Sequence, residues 1–402
     1  MKKRILVIGI TMAAAGSEKS FLSFANTIDY EKYDVDLLLA RKTGDFLPLV
    51  PEKIRILEMG ALGELFEIDR KNARDIIMRK YLLKNPFRGF GLFSHLVKIK
   101  RAKNPERRSF AANRMWLSMM EKMPDFPGEY DIALAYWGDR TMFYMIDKVR
   151  AKRKIAWLHF DYSRPPREDA LYLAYFQKCD KVVTVSAEIE KSLKSALPDI
   201  ADRVVTIENI INKEEILSVA SEPADFGDDF GGMRLLTVGR ICPQKGYDLA
   251  VPAVARLISE GYPIRWYIIG QGDDAYAEKL QSQIAESGIR DSVIFMGMQK
   301  NPYKFMKAAD IYFQPSRHEG KPIAVEEAKV LCRPIFVTDY TSAAEQTEGG
   351  TLGLVGDISE EGIYRGLKKL LDDGALRENL TERLAFVTKN EKNFSQIMEL
   401  LE

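Results

Sequence analysis

Cysteine and histidine are both scarce, three of each in 402 residues. Cys179, Cys242 and Cys332 stand singly, so neither a disulfide framework nor a zinc ligand set is indicated, and a reducing compartment fits. His95, His159 and His318 are equally scattered, and carboxylates do not cluster at ligand spacing, which argues against a catalytic metal. The Gly–x–Gly–x–x–Gly fingerprint is missing after the first apolar run, which argues against a nicotinamide enzyme. No apolar run approaches the roughly 20 residues needed to span a bilayer. The N-terminus, MKKRILVIGI, leads straight into a strand rather than a cleavable leader, so a soluble, cytoplasmic protein is expected. Low-complexity segments and informative internal repeats are absent as well.

What is present is an alternation. At 402 residues, 46% hydrophobic and 29% charged, the chain exceeds the usual size of one core and is expected to form two domains. Short β-rich runs alternate with helical stretches, the sequence form of a parallel sheet covered on both faces. In the first half RILVIGI, YDVDLLLAR, IRILEMG, YDIALAYW, KIAWLHF, KVVTVS and VVTIEN read as buried strands. In the second half RLLTVGR, RWYIIGQG, SVIFMGM, DIYFQPS and RPIFVTDY do so. The fold class is therefore α/β, with two Rossmann-like, doubly wound parallel sheets. The acidic, Gly-containing segment from Lys213 to Gly232 interrupts the pattern and reads as a linker. Beyond Asp357 the pattern is wholly helical.

Charge is unevenly placed. From Lys71 to Arg114 there are thirteen Lys and Arg against only Asp75 and Glu106, an excess of eleven, so with a net charge of +1 the remainder sums to −10. Aromatic and apolar residues interleave these cations, among them Phe87, Phe90, Phe93, Leu96 and Trp116. Such a face suits an anionic membrane surface, with solvated helices as the plainer reading. No nucleic-acid recognition motif accompanies it, so nucleic acid is not an expected partner.

Two segments of the second half carry chemistry. In QPSRHEGKPIAVEEAKVLCRPIFVTDY, Gln314 to Tyr340, a strand breaks at Pro315, turns through Gly320 and enters a helix. Pro322 suits the first helical position, since its missing N–H has no intrahelical partner there. The free amides of that first turn then point into the Glu319–Gly320–Lys321 loop, where a helix N-terminus can receive phosphate and Gly320 permits close approach. Glu327 lies about 8 Å along the helix from Pro322, at about 1.5 Å per residue, a distance comparable with that from a diphosphate to a ribose. Upstream, in LLTVGRICPQKGYDLAVPAVARL, Leu235 to Leu257, Gly239 and Gly246 permit a tight turn, Arg240 can fork onto a diphosphate and Lys245 adds a point charge.

The spacing of Glu319 and Glu327, with the Arg240 and Lys245 segment before it, resembles the retaining glycosyltransferases of family 4, the group 1 glycosyltransferases. RWYIIGQGDD, SVIFMGMQ and NPYKFMKAADIYFQPS follow in that family's order, so the resemblance covers most of the second half. It implies the GT-B architecture, two Rossmann-like domains facing across a cleft. The expected division is an acceptor-binding domain over 1–212, a nucleotide-sugar domain over 213–385, and a helix over 386–402 returning to the first domain.

The resemblance also implies roles. Arg240 and Lys245 stabilise a leaving nucleotide diphosphate, Glu319 holds donor-sugar hydroxyls and Glu327 binds the ribose. Gly239, Gly320, Lys321 and Ile323 join the donor site, although Lys321 stands where relatives often carry an aromatic or apolar residue, which bears on sugar selectivity. Gly16 and Ser17 open a helix after the first strand, with Ser17 as an N-cap and Gly16 near the donor phosphate. His159, at a strand end, resembles the cleft histidine of related transferases; a strand-end histidine satisfied by a neighbour is the plainer reading. The expected activity moves a hexose from a nucleotide-diphosphate donor, UDP favoured over GDP, to a glycan or lipid-linked acceptor, without metal or other cofactor. The expected setting is surface-polysaccharide or glycoconjugate synthesis, cytoplasmic or peripheral at the inner membrane face. The alternatives within reach of the same residues are a nucleotide-sugar epimerase and a non-catalytic nucleotide-sugar-binding scaffold.

Overall fold

The near-continuous Val, Ile and Leu runs of the first half form seven strands, all parallel, the kind of run that suits a sheet buried on both faces. The computed structural model describes residues 2–66, 94–95, 97–102, 104–121, 123–387 and 391–402. The strands are β1 (Lys3–Gly9), β2 (Tyr33–Leu39), β3 (Arg55–Glu58), β4 (Glu129–Ala135), β5 (Arg150–Leu158), β6 (Lys181–Thr184) and β7 (Val204–Thr206), in the spatial order 3-2-1-4-5-6-7. They belong to a unit made of Met1–Val185, Ile189–Glu208 and Gln396–Glu402. The last of these pieces is the end of the helix Glu391–Leu401, whose Ile397, Leu400 and Leu401 are buried. It is tied to this unit by Gln396 Nε2 donating to the carbonyl of Thr206 at 3.3 Å and by Lys3 Nζ donating to that of Glu402 at 2.7 Å.

A second unit, Ser186–Glu188 with Asn209–Ser395, holds β8 (Met233–Val238), β9 (Ile264–Ile269), β10 (Val293–Gly297), β11 (Ile311–Gln314), β12 (Ile335–Thr338) and β13 (Leu354–Gly356). Their order is 10-9-8-11-12-13, again all parallel. Alternate residues feed two cores. Leu235, Trp266, Phe313 and Phe336 enter one with the helices Tyr247–Ser259 and Glu360–Asp372, while Leu236, Tyr267, Tyr312 and Val337 enter the other with Pro302–Ala308 and Ile323–Val330. Strand β13 escaped the sequence reading: it is three residues long, follows a Gly-rich turn, and pairs at the sheet edge with β12.

The segment read as a linker is more than a spacer. It begins with the helix Lys213–Val219, and Asp228 then accepts hydrogen bonds from Arg234 and Arg265, each at 3.0 Å, and from the Tyr267 hydroxyl. Burial works against the Asp228 carboxylate, but these donors and the Phe230 amide outweigh it and hold its pKa near about 2. The acidic half of Lys213–Gly232 is thereby pinned to the second unit.

In both sheets the strand order reverses beside the first strand of the unit, between β1 and β4 and between β8 and β11. Ligands of open α/β sheets bind beyond the carboxyl ends of the strands at such a switch point. In the second unit the two loops leaving that point are Gly239–Gly246 and Pro315–Pro322.

Candidate functional site

The loop after β8 is shaped by its glycines. It closes through a 3-10 turn at Pro243–Lys245 and enters the helix Tyr247–Ser259 from Gly246, whose φ is +68°. A Cβ on Gly246 would lie 1.9 Å from the carbonyl oxygen of Pro315, so only glycine lets this loop lie against the loop after β11. Arg317 N donates to the carbonyl of Gln244 at 2.8 Å, and Gln244 Nε2 donates to that of His318 at 3.0 Å.

This apposition brings Lys245 and Glu319 together. Lys245 Nζ donates to Glu319 Oε1 at 2.7 Å, with side chains 13% and 8% exposed. A Cβ on Gly239 would meet Lys245 Cε at 3.1 Å, so the lysine stem lies directly over that glycine. Glu319 Oε1 also accepts from Ser316 Oγ at 2.6 Å and from Gln314 Nε2 at 3.4 Å, and Oε2 accepts from Gln244 Nε2 at 3.4 Å. Gln314 is fixed in turn by the Tyr312 hydroxyl, which donates to its Oε1 at 2.8 Å. The carboxylate thus ends a buried polar chain that starts on β11.

Arg240, next to Gly239, is exposed and makes no ion pair among the described residues. Its five N–H donors are available to an anion. Gly320 is buried, and its carbonyl accepts from Ser342 Oγ at 2.5 Å. It is not among the left-handed glycines. Lys321, expected to join the donor site, has a side chain only 8% exposed and pairs with Glu345 Oε1 at 3.0 Å. Burial opposes the charge of Glu345, but Lys321 and hydrogen bonds to the carboxylate outweigh it and keep its pKa below the ordinary range.

Pro322 corrects its expected place by one position. It is the N-cap, with φ −63° and ψ 118°, and the helix starts at Ile323. Val325 N folds back on the Pro322 carbonyl at 3.1 Å, so the amides of Ile323 and Ala324 lead the helix with no helical carbonyl behind them. Glu327 is no solvated helix residue: it is 3% exposed, and Tyr303 Oη donates to its Oε1 at 3.2 Å. Burial first, and then the charge of Glu327, push the Tyr303 phenol well above its ordinary pKa. Tyr303 and Glu345 were not singled out in the sequence. Both contacts cross some twenty residues, a separation at which periodicity gives no signal.

In the first unit, Gly16 is the first residue of the helix Gly16–Ala25, and the N-cap position belongs to Ala15, at φ −135° and ψ 171°. Ser17 is therefore not the cap; it lies inside the first turn and its Oγ donates to Glu18 Oε2 at 2.6 Å. His159 follows β5, with its ring 4.7 Å from that of Tyr136 and stacked at 8° to that of Trp157. The residue is partly exposed, but its Nε2 is buried and unpartnered. Burial pushes the imidazole pKa down to about 3, so it is neutral at physiological pH. The structure thus joins Gly239, Lys245 and Glu319 in direct contact, sets Arg240, Gly320, Lys321 and Ile323 on the same two loops, and buries Glu327 farther along the helix. Gly16 and His159 belong to the other unit.

Of the basic stretch, Arg79, Lys80, Lys84, Arg88 and Lys103, with Phe87, Phe90, Phe93 and Leu96, lie outside the described residues. Among those described, Lys98, Lys100, Arg101 and Arg107 are exposed, while Trp116 is buried and donates from Nε1 to the carbonyl of Leu65 at 2.8 Å. No helix among the described residues is long and apolar enough to cross a membrane.

Comparison with known proteins places this geometry. Residues 227–385 match the family model described as "Glycosyl transferases group 1". An uncharacterised glycosyltransferase of Methanocaldococcus jannaschii is 28% identical over 174 residues, 42% of either chain. The N-acetylgalactosamine-N,N'-diacetylbacillosaminyl-diphospho-undecaprenol 4-alpha-N-acetylgalactosaminyltransferase of Campylobacter jejuni is 29% identical over 172 residues, 42% of this chain and 45% of the relative. The match thus spans less than half the length of these relatives. Across the whole fold, HepE of Anabaena, solved in complex with UDP and glucose, superposes with a TM-score of 0.69 at 15% identity, covering 100% of this chain and 99% of HepE. The fold is GT-B, as expected.

Proposed function

From the premise that residues 227–385 belong to the group 1 glycosyltransferase family, we propose that this chain is a retaining, nucleotide-sugar-dependent hexosyltransferase. The observation that carries the reading is the Lys245–Glu319 pair over Gly239, beside the exposed Arg240 and the helix tip at Ile323. Two cations offset the negative charge that grows on a departing diphosphate, and the amides at Ile323 and Ala324 add donors to the same anion. Glu319 holds hydroxyls of the donor sugar, Glu327 binds the ribose, and Gly320 and Lys321 border the sugar. With Arg240 and Lys245 supplying the positive charge, the departure of the diphosphate needs no metal. Gly16 and the neutral imidazole of His159 serve the same reaction from the first unit. Positioning and electrostatic stabilisation as the glycosidic bond ionises supply the rate.

UDP is the favoured nucleotide, in keeping with the UDP bound by HepE. A glycan or lipid-linked acceptor fits the diphospho-undecaprenol substrate in the name of the Campylobacter relative. The setting is then surface-polysaccharide or glycoconjugate synthesis, with the basic stretch resting on an anionic membrane face from the cytoplasmic side.

Thermal unfolding with UDP, GDP, ADP and NAD, on wild type and Arg240→Ala, tests the proposal, followed by nucleotide release from the matching sugar donors. A ligand at a hundred times its Kd stabilises by about 2.7 kcal/mol. Stabilisation by one diphosphate, lost in Arg240→Ala, and acceptor-dependent release of that nucleotide are expected. Interconversion of donors without acceptor would indicate an epimerase, and binding without turnover a scaffold. Stabilisation by NAD alone would overturn the reading.

A further inference from the structure

We propose that Arg317 and Asp248 are positioning residues of the donor site, a fork that fixes Lys245 against Glu319 while a nucleotide diphosphate occupies the loops. The inference rests on the reading of that site given above. Lys245 and Glu319 lie 74 residues apart and leave different strands, β8 and β11. Their mutual ion pair joins the loops beside the bonds of Gln244 to Arg317 N and to the His318 carbonyl. Once Lys245 turns its charge toward a diphosphate, the charged link between the loops has to come from elsewhere.

The fork is placed to do this. Arg317 stands two residues before Glu319, and Asp248 three residues after Lys245. Arg317 Nη1 and Nη2 donate to Asp248 Oδ1 and Oδ2, both at 2.7 Å, and Nη1 also reaches the carbonyl of Pro243 at 2.7 Å. Asp248 is itself oriented: Tyr276 Oη donates to its Oδ1 at 2.7 Å, and Gln283 Nε2 donates to its carbonyl at 2.9 Å. A planar, bidentate pair fixes direction as well as distance, which a lysine in the same place would not. Fold stability accounts for part of it, since burial works against the Asp248 carboxylate and Arg317 nonetheless holds it below its ordinary pKa. The two side chains are 32% and 37% exposed, so solvent screens the pair and its contribution to stability is moderate. What the fork adds beyond that is direction, because it ties the residue two places before Glu319 to the residue three places after Lys245.

The test is calorimetric titration of UDP, GDP and ADP into wild type, Arg317→Lys, Asp248→Asn, Lys245→Ala and the double variants, with melting temperatures recorded without nucleotide. Arg317→Lys keeps the charge and loses the fork. It is expected to weaken the nucleotide that wild type binds by about tenfold and to move the melting temperature by only a few degrees, since the charge and one hydrogen bond to Asp248 are kept. In the Lys245→Ala background the same change is expected to alter affinity less than about twofold, because the group it aligns is gone; a merely structural pair would instead give additive losses. Asp248→Asn, which keeps the side-chain shape, must show the same non-additivity. Wild-type affinity in Arg317→Lys, or full additivity with Lys245→Ala, would overturn the proposal. Failure of wild type to bind any of the three diphosphates would instead remove the reading of the site beneath it, and this assignment with it.

Discussion

Lys245 and Glu319 face each other almost out of water, and removing one charge leaves the other in a place that solvates it poorly. Lys245→Met is therefore expected to destabilise the nucleotide-free protein, by about 3 kcal/mol, the low end for a broken buried pair. The low end applies because Ser316, Gln314 and Gln244 still donate to Glu319. Adding Glu319→Gln should restore a large part of the loss. Urea unfolding of the single and double variants checks this, and equal losses in the two would contradict it. His159 gives a second prediction, in which the sign follows from its depressed pKa. Below the unfolded value of about 6.5 the unfolded chain takes up a proton that the folded chain, with its pKa near 3, refuses, so stability falls as pH drops. By pH 5 the loss is roughly 2 kcal/mol, and His159→Phe should flatten the curve between pH 6.5 and 5. Parallel wild-type and variant curves would mean that the imidazole has access to a proton after all.

The helix Ile323–Val330 ends in a conformation its sequence does not favour. Cys332 follows it at φ +53°, the left-handed region where glycine is the usual residue and an L side chain costs roughly 1–2 kcal/mol. Cys332→Gly removes that strain and gives part of it back as the extra freedom of glycine in the unfolded chain. The net expectation is a gain of about 0.5–1 kcal/mol, seen as a rise in melting temperature with nucleotide binding unchanged. At this scale the sequence was legible where the pattern is local. Seven strands of the first unit and five of the second carry apolar runs long enough to declare themselves, and Gly246 signals its turn directly. Helix starts slipped by a place or two, with the cap at Ala15 instead of Ser17 and with Pro322 as the cap instead of the first helical residue, because which residue turns helical first depends on what its side chain meets. Ser17 finds Glu18 instead of the backbone. The three-residue β13 is made a strand by β12 beside it, and the partners of Glu327 and Lys321 come from segments some twenty residues away.

At the scale of the whole molecule, the net charge of +1 is the sum of an excess of eleven cations between Lys71 and Arg114 and a remainder of −10. Five cations of that stretch are exposed among the described residues, and with Arg114 paired to Glu168 the other four are Lys98, Lys100, Arg101 and Arg107. A cation near anionic lipid contributes about 1 kcal/mol, so four together shift partitioning by roughly a thousandfold at low ionic strength. Salt shortens the reach of that attraction, from about 30 Å at 0.01 M to about 8 Å at 0.15 M. The chain is accordingly expected to sediment with vesicles containing phosphatidylserine, to stay in solution with neutral vesicles, and to be released as salt is raised. Replacing these four cations by glutamine should abolish most of the binding while UDP still stabilises the protein, because the donor loops lie in the other unit. Vesicle binding that ignores both salt and the four substitutions would point to apolar insertion rather than charge, and equal absence of binding to both vesicle types would leave the basic stretch as a solvated face.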